Sequence, residues 1–433
     1  MNLEKKLQQL KKAARASARD AELDRQLEYL RRLEESPRKL PAQRVPKGIE
    51  EYVEGRIEKN ASGEFFLARQ ALPFGRPYGK LRVGDLATAD LSALSLVFNQ
   101  VPIPEPARLI YLDTETTGLA GGTGTLAFLI GIGAVEGSRF VVRQFFLRDY
   151  PEEKAALVAL AEALESYEGI VTFNGKTFDI PLLETRYALA RMKSPFTRLV
   201  HLDALHPARR LWKLRLETCK LTDLESAILG IGREGDVEGS EIPGIYFDYL
   251  RTGNAQGLQP VFYHNAMDIV TLAAVTVELA NVLSDASEET IASSLDLFSL
   301  SRILDRARVT ERSAETCRQA LAKGLPQMVE SQALWQLAAQ HKRRRQHAMA
   351  VELWTELARR QTPFALRALE ELAVHFEHRQ RDIAAALEYT STAIESLRLD
   401  SSSSQFKRFS RRRERLERKA NRLAVPPWQL ARD

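Results

Sequence analysis

The 433-residue chain has only two cysteines, Cys219 and Cys317, far apart and without a CxxC pair. This excludes a disulfide framework and a cysteine-built zinc site. The chain also lacks an uninterrupted apolar run of ~18 residues, and its first residues are charged, so neither membrane spanning nor secretion is expected and the reading is a cytoplasmic protein. The glycine-rich turn Gly118-Leu119-Ala120-Gly121-Gly122-Thr123-Gly124-Thr125 has no lysine of the GxxxxGK[ST] type and runs toward a strand. A phosphate loop is excluded; a flexible turn, or a close approach of backbone to a phosphate, remains. Charge of one sign is in small excess: a net +5 and a pI near 9.1 permit nucleic-acid binding without demanding it. With 44% hydrophobic and 27% charged residues, the chain has the composition of a globular protein long enough for two or three domains.

The informative residues are acids in unexpected places. In Leu109-Ile110-Tyr111-Leu112-Asp113-Thr114-Glu115-Thr116-Thr117-Gly118, two carboxylates alternate at the end of an apolar run. On a strand, Asp113 and Glu115 project from one face, where their repulsion calls for a counter-charge, most simply a divalent cation. As an isolated triplet, the same residues read equally as a turn cap and a solvated glutamate. Downstream, Ile170-Val171-Thr172-Phe173-Asn174-Gly175-Lys176-Thr177-Phe178-Asp179 runs from a strand through a polar turn into a helix. Alone, Asp179 there is an N-cap. Within the helical pattern Phe262-Tyr263-His264-Asn265-Ala266-Met267-Asp268, Asp268 interrupts a buried-looking face, and His264 lies four residues earlier on the same side. Asp113, Glu115, Asp179 and Asp268 together make an all-oxygen set able to hold two Mg²⁺ or Mn²⁺ ions. Two such ions serve an in-line phosphoryl displacement, and an imidazole beside them is suited to activating water.

At these residues the chain resembles a known family. DTET, FNGKTFD and HNAMD are similar to the three exonuclease motifs of the DEDD superfamily of RNase H-fold 3′–5′ exonucleases. More narrowly, the stretch from about Tyr52 to Leu279 resembles the bacterial YprB-like ribonuclease-H-like proteins. That closer likeness rests on Leu126 to Gly133, on Asp203 with Ala208 to Trp212, and on Cys219-Lys220-Leu221 with Leu224-Glu225 and Leu229-Gly230. Ile242-Pro243 and Tyr246 complete it. The resemblance implies that Asp113, Glu115, Asp179 and Asp268 are metal ligands. In one respect the chain departs from the pattern. DEDD enzymes carry a His five residues before the last Asp or a Tyr four before it, whereas here Tyr263 is at minus five and His264 at minus four. One residue turns a helix by about 100°, so both cannot face the same metals. His264 shares the face of Asp268 and is favoured as the water-activating residue. Thr114, Asn174 and Tyr263 are the candidate substrate contacts.

Four segments are expected: a charged N-terminal arm (1–47), an RNase H-like exonuclease domain with a short β lead-in (48–283), an all-α helical-repeat region (284–400) and a basic tail (401–433). The domain reads as strands at 109–114, 126–135, 139–147, 169–173 and 198–203 and helices at 153–167 and 179–191. A hairpin at Glu136-Gly137-Ser138 followed by alternating helix and strand predicts an α/β fold with a mixed sheet, in the RNase H order. The lead-in carries no chemistry of its own in this reading, and Gly230 to Gly244, with Glu234 and Asp236, reads as a solvated loop in preference to a border of the substrate groove. Farther on, Leu334, Leu337, Ala338 and His341 are echoed about 35 residues later by Leu369, Leu372, Ala373 and Phe376, a period near that of tetratricopeptide (TPR-like) helical pairs or of a plain bundle. This region would dock a protein partner or the catalytic domain. Basic runs occupy Lys342 to Arg345 and Lys407 to Arg422, the second a candidate phosphate-binding helix.

The function expected is metal-dependent 3′–5′ exonuclease action on single-stranded nucleic acid, RNA or DNA. The alternatives are a silent scaffold or nucleic-acid-binding protein that retains the fold, and an endonuclease of RNase H type.

Overall fold

The computed structural model describes residues 48–99, 101–118, 124–284, 291–400 and 402–424. The expected N-terminal arm, residues 119–123 of the glycine-rich turn and residues 425–433 of the tail lie outside the described residues. The chain forms two compact units, the first running to Arg209 and resuming over Leu216–Asn281, the second made of Arg210–Arg215 and the residues from Val282 onward. Nothing in the composition of residues 210–215 signals that they belong to the second unit.

The first unit is built on a seven-stranded mixed sheet. Its strands are β1 (Gly55–Asn60), β2 (Gly63–Pro73), β5 (Leu109–Thr116), β6 (Ala127–Glu136), β7 (Arg139–Phe146), β8 (Gly169–Thr172) and β9 (Val200–Asp203), and a small hairpin, β3 (Pro77–Tyr78) with β4 (Leu81–Arg82), stands apart. The order across the sheet is β1-β2-β7-β6-β5-β8-β9. The first four junctions are antiparallel, and β8 and β9 then add in parallel beside β5. The β6–β7 hairpin closes through Gly137, whose φ of +56° fits a tight hairpin turn. The parallel strands follow α1 (Glu153–Leu164) and α2 (Asp179–Leu189), because a parallel pair needs a crossover. Helix α1 buries Ala155, Ala156, Leu157, Leu160 and Leu164, one apolar face at helical spacing. The lead-in is an integral part of the sheet: β2 registers along β7 from Phe66 opposite Phe146 to Pro73 opposite Arg139.

Beyond β9 come α3 (Leu205–Trp212), α4 (Leu221–Leu224) continuing as a π-helical turn over Glu225–Leu229, α5 (Ile242–Thr252) and α6 (Gln259–Ser284). Helix α5 contributes Tyr246, which stacks on Phe128 with ring centroids 4.0 Å apart and donates its hydroxyl to the Leu147 carbonyl at 3.0 Å. Residues 256–284 are long and apolar enough to cross a membrane by length and composition alone, yet 83% of their most apolar window is buried inside the protein. Two glycines of β6 let α6 approach the sheet: a Cβ on Gly131 would stand 2.2 Å from Asn265 Oδ1, and one on Gly133 2.3 Å from Ile269 Cγ2.

The second unit is helical among its described residues: α7 (Ser294–Arg306), α8 (Thr310–Ala322), α9 (Gln327–Arg343), α10 (His347–Ala358), α11 (Pro363–His375), α12 (Ile383–Ser396) and α13 (Ser404–Ala424). Each packs on the next in chain order. Arg308, Arg345 and Arg381, spaced 37 and 36 residues apart, occupy equivalent inter-helix turns with φ of 63°, 62° and 58°. A left-handed arginine at the same point of every second turn marks a repeat of helical pairs, because the chain reverses there in the same way each time.

Candidate active site

Strand β5 ends in the acids. Leu109 to Leu112 are fully buried and Asp113 and Glu115 half-buried, with Asp113 paired to Gly131 and Glu115 to Leu129 on β6. The register slips between Glu115 and Thr116, a bulge at the strand end that carries the chemistry. Because position 131 is glycine, Asn265 of α6 reaches over β6 and donates Nδ2 to Asp113 Oδ2 at 2.9 Å. Asn265 is itself held by the buried Gln144 of β7, whose Nε2 donates to Asn265 Oδ1 at 2.9 Å and to the Phe262 carbonyl at 2.8 Å.

Asp179 enters from the β8–α2 turn. Phe178, not Asp179, is the N-cap residue and provides no capping side chain, so the N-cap reading of Asp179 does not hold. Asp179 opens the helix and accepts the Thr114 hydroxyl at Oδ1, 2.5 Å away. The turn is braced from below by Asp203 at the end of β9, which accepts the backbone amides of Asn174 (2.8 Å), Lys176 (3.0 Å) and Leu205 (3.1 Å). Asn174 adopts φ +69°, and its side chain accepts the Thr177 hydroxyl at 2.9 Å.

Asp268 and His264 lie one turn apart on α6, with His264 Nε2 3.5 Å from Asp268 Oδ2. Tyr263 is exposed. On the other side of its ring, His264 Nδ1 lies 2.8 Å from Asp236 Oδ1. Since a carboxylate only accepts, Nδ1 is the donor to Asp236, and Nε2 is the ring nitrogen turned toward Asp268. The expectation that Asp236 sits in a solvated loop is therefore corrected: its carboxylate is mostly covered and bound to two site residues.

The second of those is Arg233. Its guanidinium, 6% exposed, donates to Glu225 at 2.5 Å, to Asp236 at 3.1 Å and to Asp268 at 2.5 Å. Glu225 in turn accepts the hydroxyl of Tyr78 at 3.0 Å, and Tyr78 also bonds Thr271 Oγ1 at 2.6 Å. The lead-in thus supplies one end of the network Tyr78–Glu225–Arg233–Asp268, contrary to the expectation that it contributes nothing there. The sequence signals for these residues are faint. Glu225 is a lone acid at the start of an apolar helical turn, and Arg233 and Asp236 sit in a loop 35 and 32 residues before Asp268. Only folding joins them.

The acids feel one another. Burial first, then the charges of Asp268, Glu115 and Asp179, push the Asp113 carboxyl well above the usual range. Burial, then Asp268, Asp179 and Asp236, do the same to Glu115. Asp179 is pushed up to about 6, chiefly by burial, with the Thr114 hydrogen bond opposing. Such a cluster is short of positive charge even with Arg233 in place. Its donors are all carboxylate oxygens, the chemistry of a Mg²⁺ or Mn²⁺ site. Among the described residues no three His, Cys, Asp or Glu side chains are placed so as to hold a metal ion together. Asp113, Asp179 and Asp268 are each turned onto a protein donor, namely Asn265, Thr114 and Arg233.

The comparisons agree with this architecture. A family profile described as the RNase_H superfamily matches residues 110–280, the span from β5 to α6. Members of that superfamily are in general hydrolytic nucleases that bind nucleic acid and typically use divalent metals. The chain is also 30% identical over 289 residues, 66% of its own length and 69% of the relative's, to "Uncharacterized protein YprB" of Bacillus subtilis (strain 168). With a seven-stranded mixed sheet, an RNase H-like nuclease domain and a helical C-terminal region, this chain belongs to the YprB-like family of RNase H-like proteins.

Proposed function

We propose that the chain is a metal-dependent 3′–5′ exonuclease that hydrolyses single-stranded nucleic acid and releases nucleoside 5′-monophosphates. The observation that carries this reading is the gathering of four carboxylates, Asp113, Glu115, Asp179 and Asp268, close enough that three of them raise the ionisation cost of Asp113, with a histidine 3.5 Å from Asp268. A scaffold has no use for carboxylates that raise one another's cost of ionisation. In this reading Asp113, Glu115, Asp179 and Asp268 hold two Mg²⁺ or Mn²⁺ ions, which when bound polarise the attacking water and stabilise the leaving oxygen. His264 accepts the water proton at Nε2, Asp236 holds its Nδ1 proton, and Asn265 fixes the rotamer of Asp113. Thr114 orients Asp179, and Asn174 and Tyr263 border the path of the substrate.

The test is hydrolysis of 5′-labelled single-stranded RNA and DNA with Mn²⁺, Mg²⁺ or EDTA, beside Asp113→Ala. A metal-dependent ladder shortening from the 3′ end, absent in the variant, is the expected result. Internal cuts would replace this reading with an endonuclease, and no cleavage by folded protein would replace it with a scaffold.

A further inference from the structure

Two basic runs lie in the second unit, and the structure treats them differently. In the first, Lys342 pairs with Glu371 at 2.6 Å, Arg343 with Asp305 at 2.6 Å and Arg344 with Glu311 at 3.0 Å, while Arg345 makes a left-handed turn. That run is spent inside the helical array. The second run lies along α13. There the apolar side is buried: Phe409 packs with Leu369 and Ile394, and Leu416 with Ile383 and Ala386. Beneath it the buried Glu377 gathers Arg412 (3.4 Å), Arg415 (2.6 Å) and Lys419 (3.9 Å), which fixes the rotation of the helix.

On the opposite side stand Lys407, Arg411, Arg418 and Arg422, all exposed. Among the described residues no carboxylate pairs with any of the four; Arg418 donates only to the Glu414 backbone carbonyl, at 3.3 Å. At about 100° and 1.5 Å per residue they fall within an arc of roughly 60° and along about 22 Å of helix. The surface therefore carries a straight row of unneutralised cations on a helix whose apolar face is already occupied.

We propose that this row is a docking track for the phosphate backbone of single-stranded nucleic acid, separate from the acidic site and indifferent to base sequence. Charge complementarity selects a polyanion, and a linear row of cations about 6–10 Å apart follows the phosphate backbone of an extended strand. A membrane surface is the poorer partner, because an interfacial helix inserts an apolar face and α13 has already buried Phe409 and Leu416 in the protein. The track deepens the nuclease reading and rests on nucleic acid being the substrate.

The experiment measures binding of full-length protein to a fluorescein-labelled single-stranded 30-mer, RNA and DNA, by anisotropy in EDTA over a range of salt, with phosphatidylserine vesicles titrated in parallel. It compares the parent with the fourfold variant Lys407→Gln, Arg411→Gln, Arg418→Gln, Arg422→Gln and with Glu414→Lys, which adds a cation beside the row. The expected result is at least a tenfold weaker Kd for the fourfold variant and a salt slope smaller by up to about 3, some 0.7 for each phosphate no longer neutralised. Glu414→Lys should bind more tightly. Unchanged affinity and slope in both variants would overturn the proposal, as would a loss of binding confined to the vesicles. Cleavage of a trinucleotide, with too few phosphates to occupy the four cations of the row, should be equal in parent and fourfold variant. Because binding is read in EDTA, it stands or falls separately from hydrolysis.

Discussion

His264 Nδ1 lies 2.8 Å from the carboxylate of Asp236, which joins the second turn of α6 to a loop 28 residues upstream. The contact orients the ring with Nδ1 toward Asp236 and Nε2 toward Asp268. Replacing Asp236 with Asn lets the amide flip and present either a donor or an acceptor to the ring. Steady-state kinetics of Asp236→Asn should show kcat lower by about 10–100-fold with KM nearly unchanged. His264→Ala should cost on the order of 10²–10⁴ in kcat. An Asp236→Asn protein as fast as the parent would remove Asp236 from the mechanism.

Asp179 gives a pH signature in metal-free protein. Its folded carboxyl titrates at about 6, against an ordinary value of 3.8. Below about pH 4 it is protonated in both states and costs the fold nothing. As pH rises the unfolded chain ionises first, stability falls, and the full cost stands above pH 6. Asp179→Asn should thus be more stable than the parent at pH 7.5 in EDTA, by up to about 3 kcal/mol, with the gap closing below pH 4. Adding Mn²⁺ at pH 7.5 should stabilise the parent more than the variant. Denaturant melts at both pH values check each step.

Gly131 is where a strand and a helix share space. A methyl group there meets Asn265 Oδ1 and, at 2.4 Å, Ile269 Cδ1, both from α6. Gly131→Ala should destabilise the protein by about 1–3 kcal/mol through overpacking. It should also lower activity beyond what unfolding explains, because displacing Asn265 releases Asp113. Circular-dichroism melts paired with assays well below Tm separate the two effects.

Arg233 is the internal counter-charge of Glu225, Asp236 and Asp268. Arg233→Ala leaves Glu225, itself about 2% exposed, as a buried carboxylate without its cation. The expected loss is about 3–5 kcal/mol in a denaturant titration. Arg233→Ala combined with Glu225→Gln should recover part of it, and a double variant no more stable than the single one would show that Glu225 is not the source of the cost.

The legible part of this protein was its periodicity. Strand β5 with its alternating acids, the β6–β7 hairpin at Gly137, the α1 and α2 crossovers and the long α6 each carry a local pattern of apolar spacing that a short window reveals. Asp113, Glu115, Asp179, His264 and Asp268 stood out because each breaks such a pattern. The network of Tyr78, Glu225, Arg233 and Asp236 did not, because charged residues in loops are ordinarily solvated and nothing local tells which of them folds inward.

What the chain alone determined was which residues bear the acids, which elements carry them and in what order, since strand alternation and helical period are properties of neighbours. Tertiary structure decided which side chains oppose those acids. Burial raises three of them, Arg233 answers for one, Asn265 reaches Asp113 only because residue 131 has no Cβ, and acids from neighbouring helices neutralise one basic run while, among the described residues, none pairs with the outward row of α13. These pairings join residues from 29 positions apart, Lys342 and Glu371, to 152 apart, Asp113 and Asn265. Coulomb energy and packing respond to such distances in space, which sequence spacing does not record.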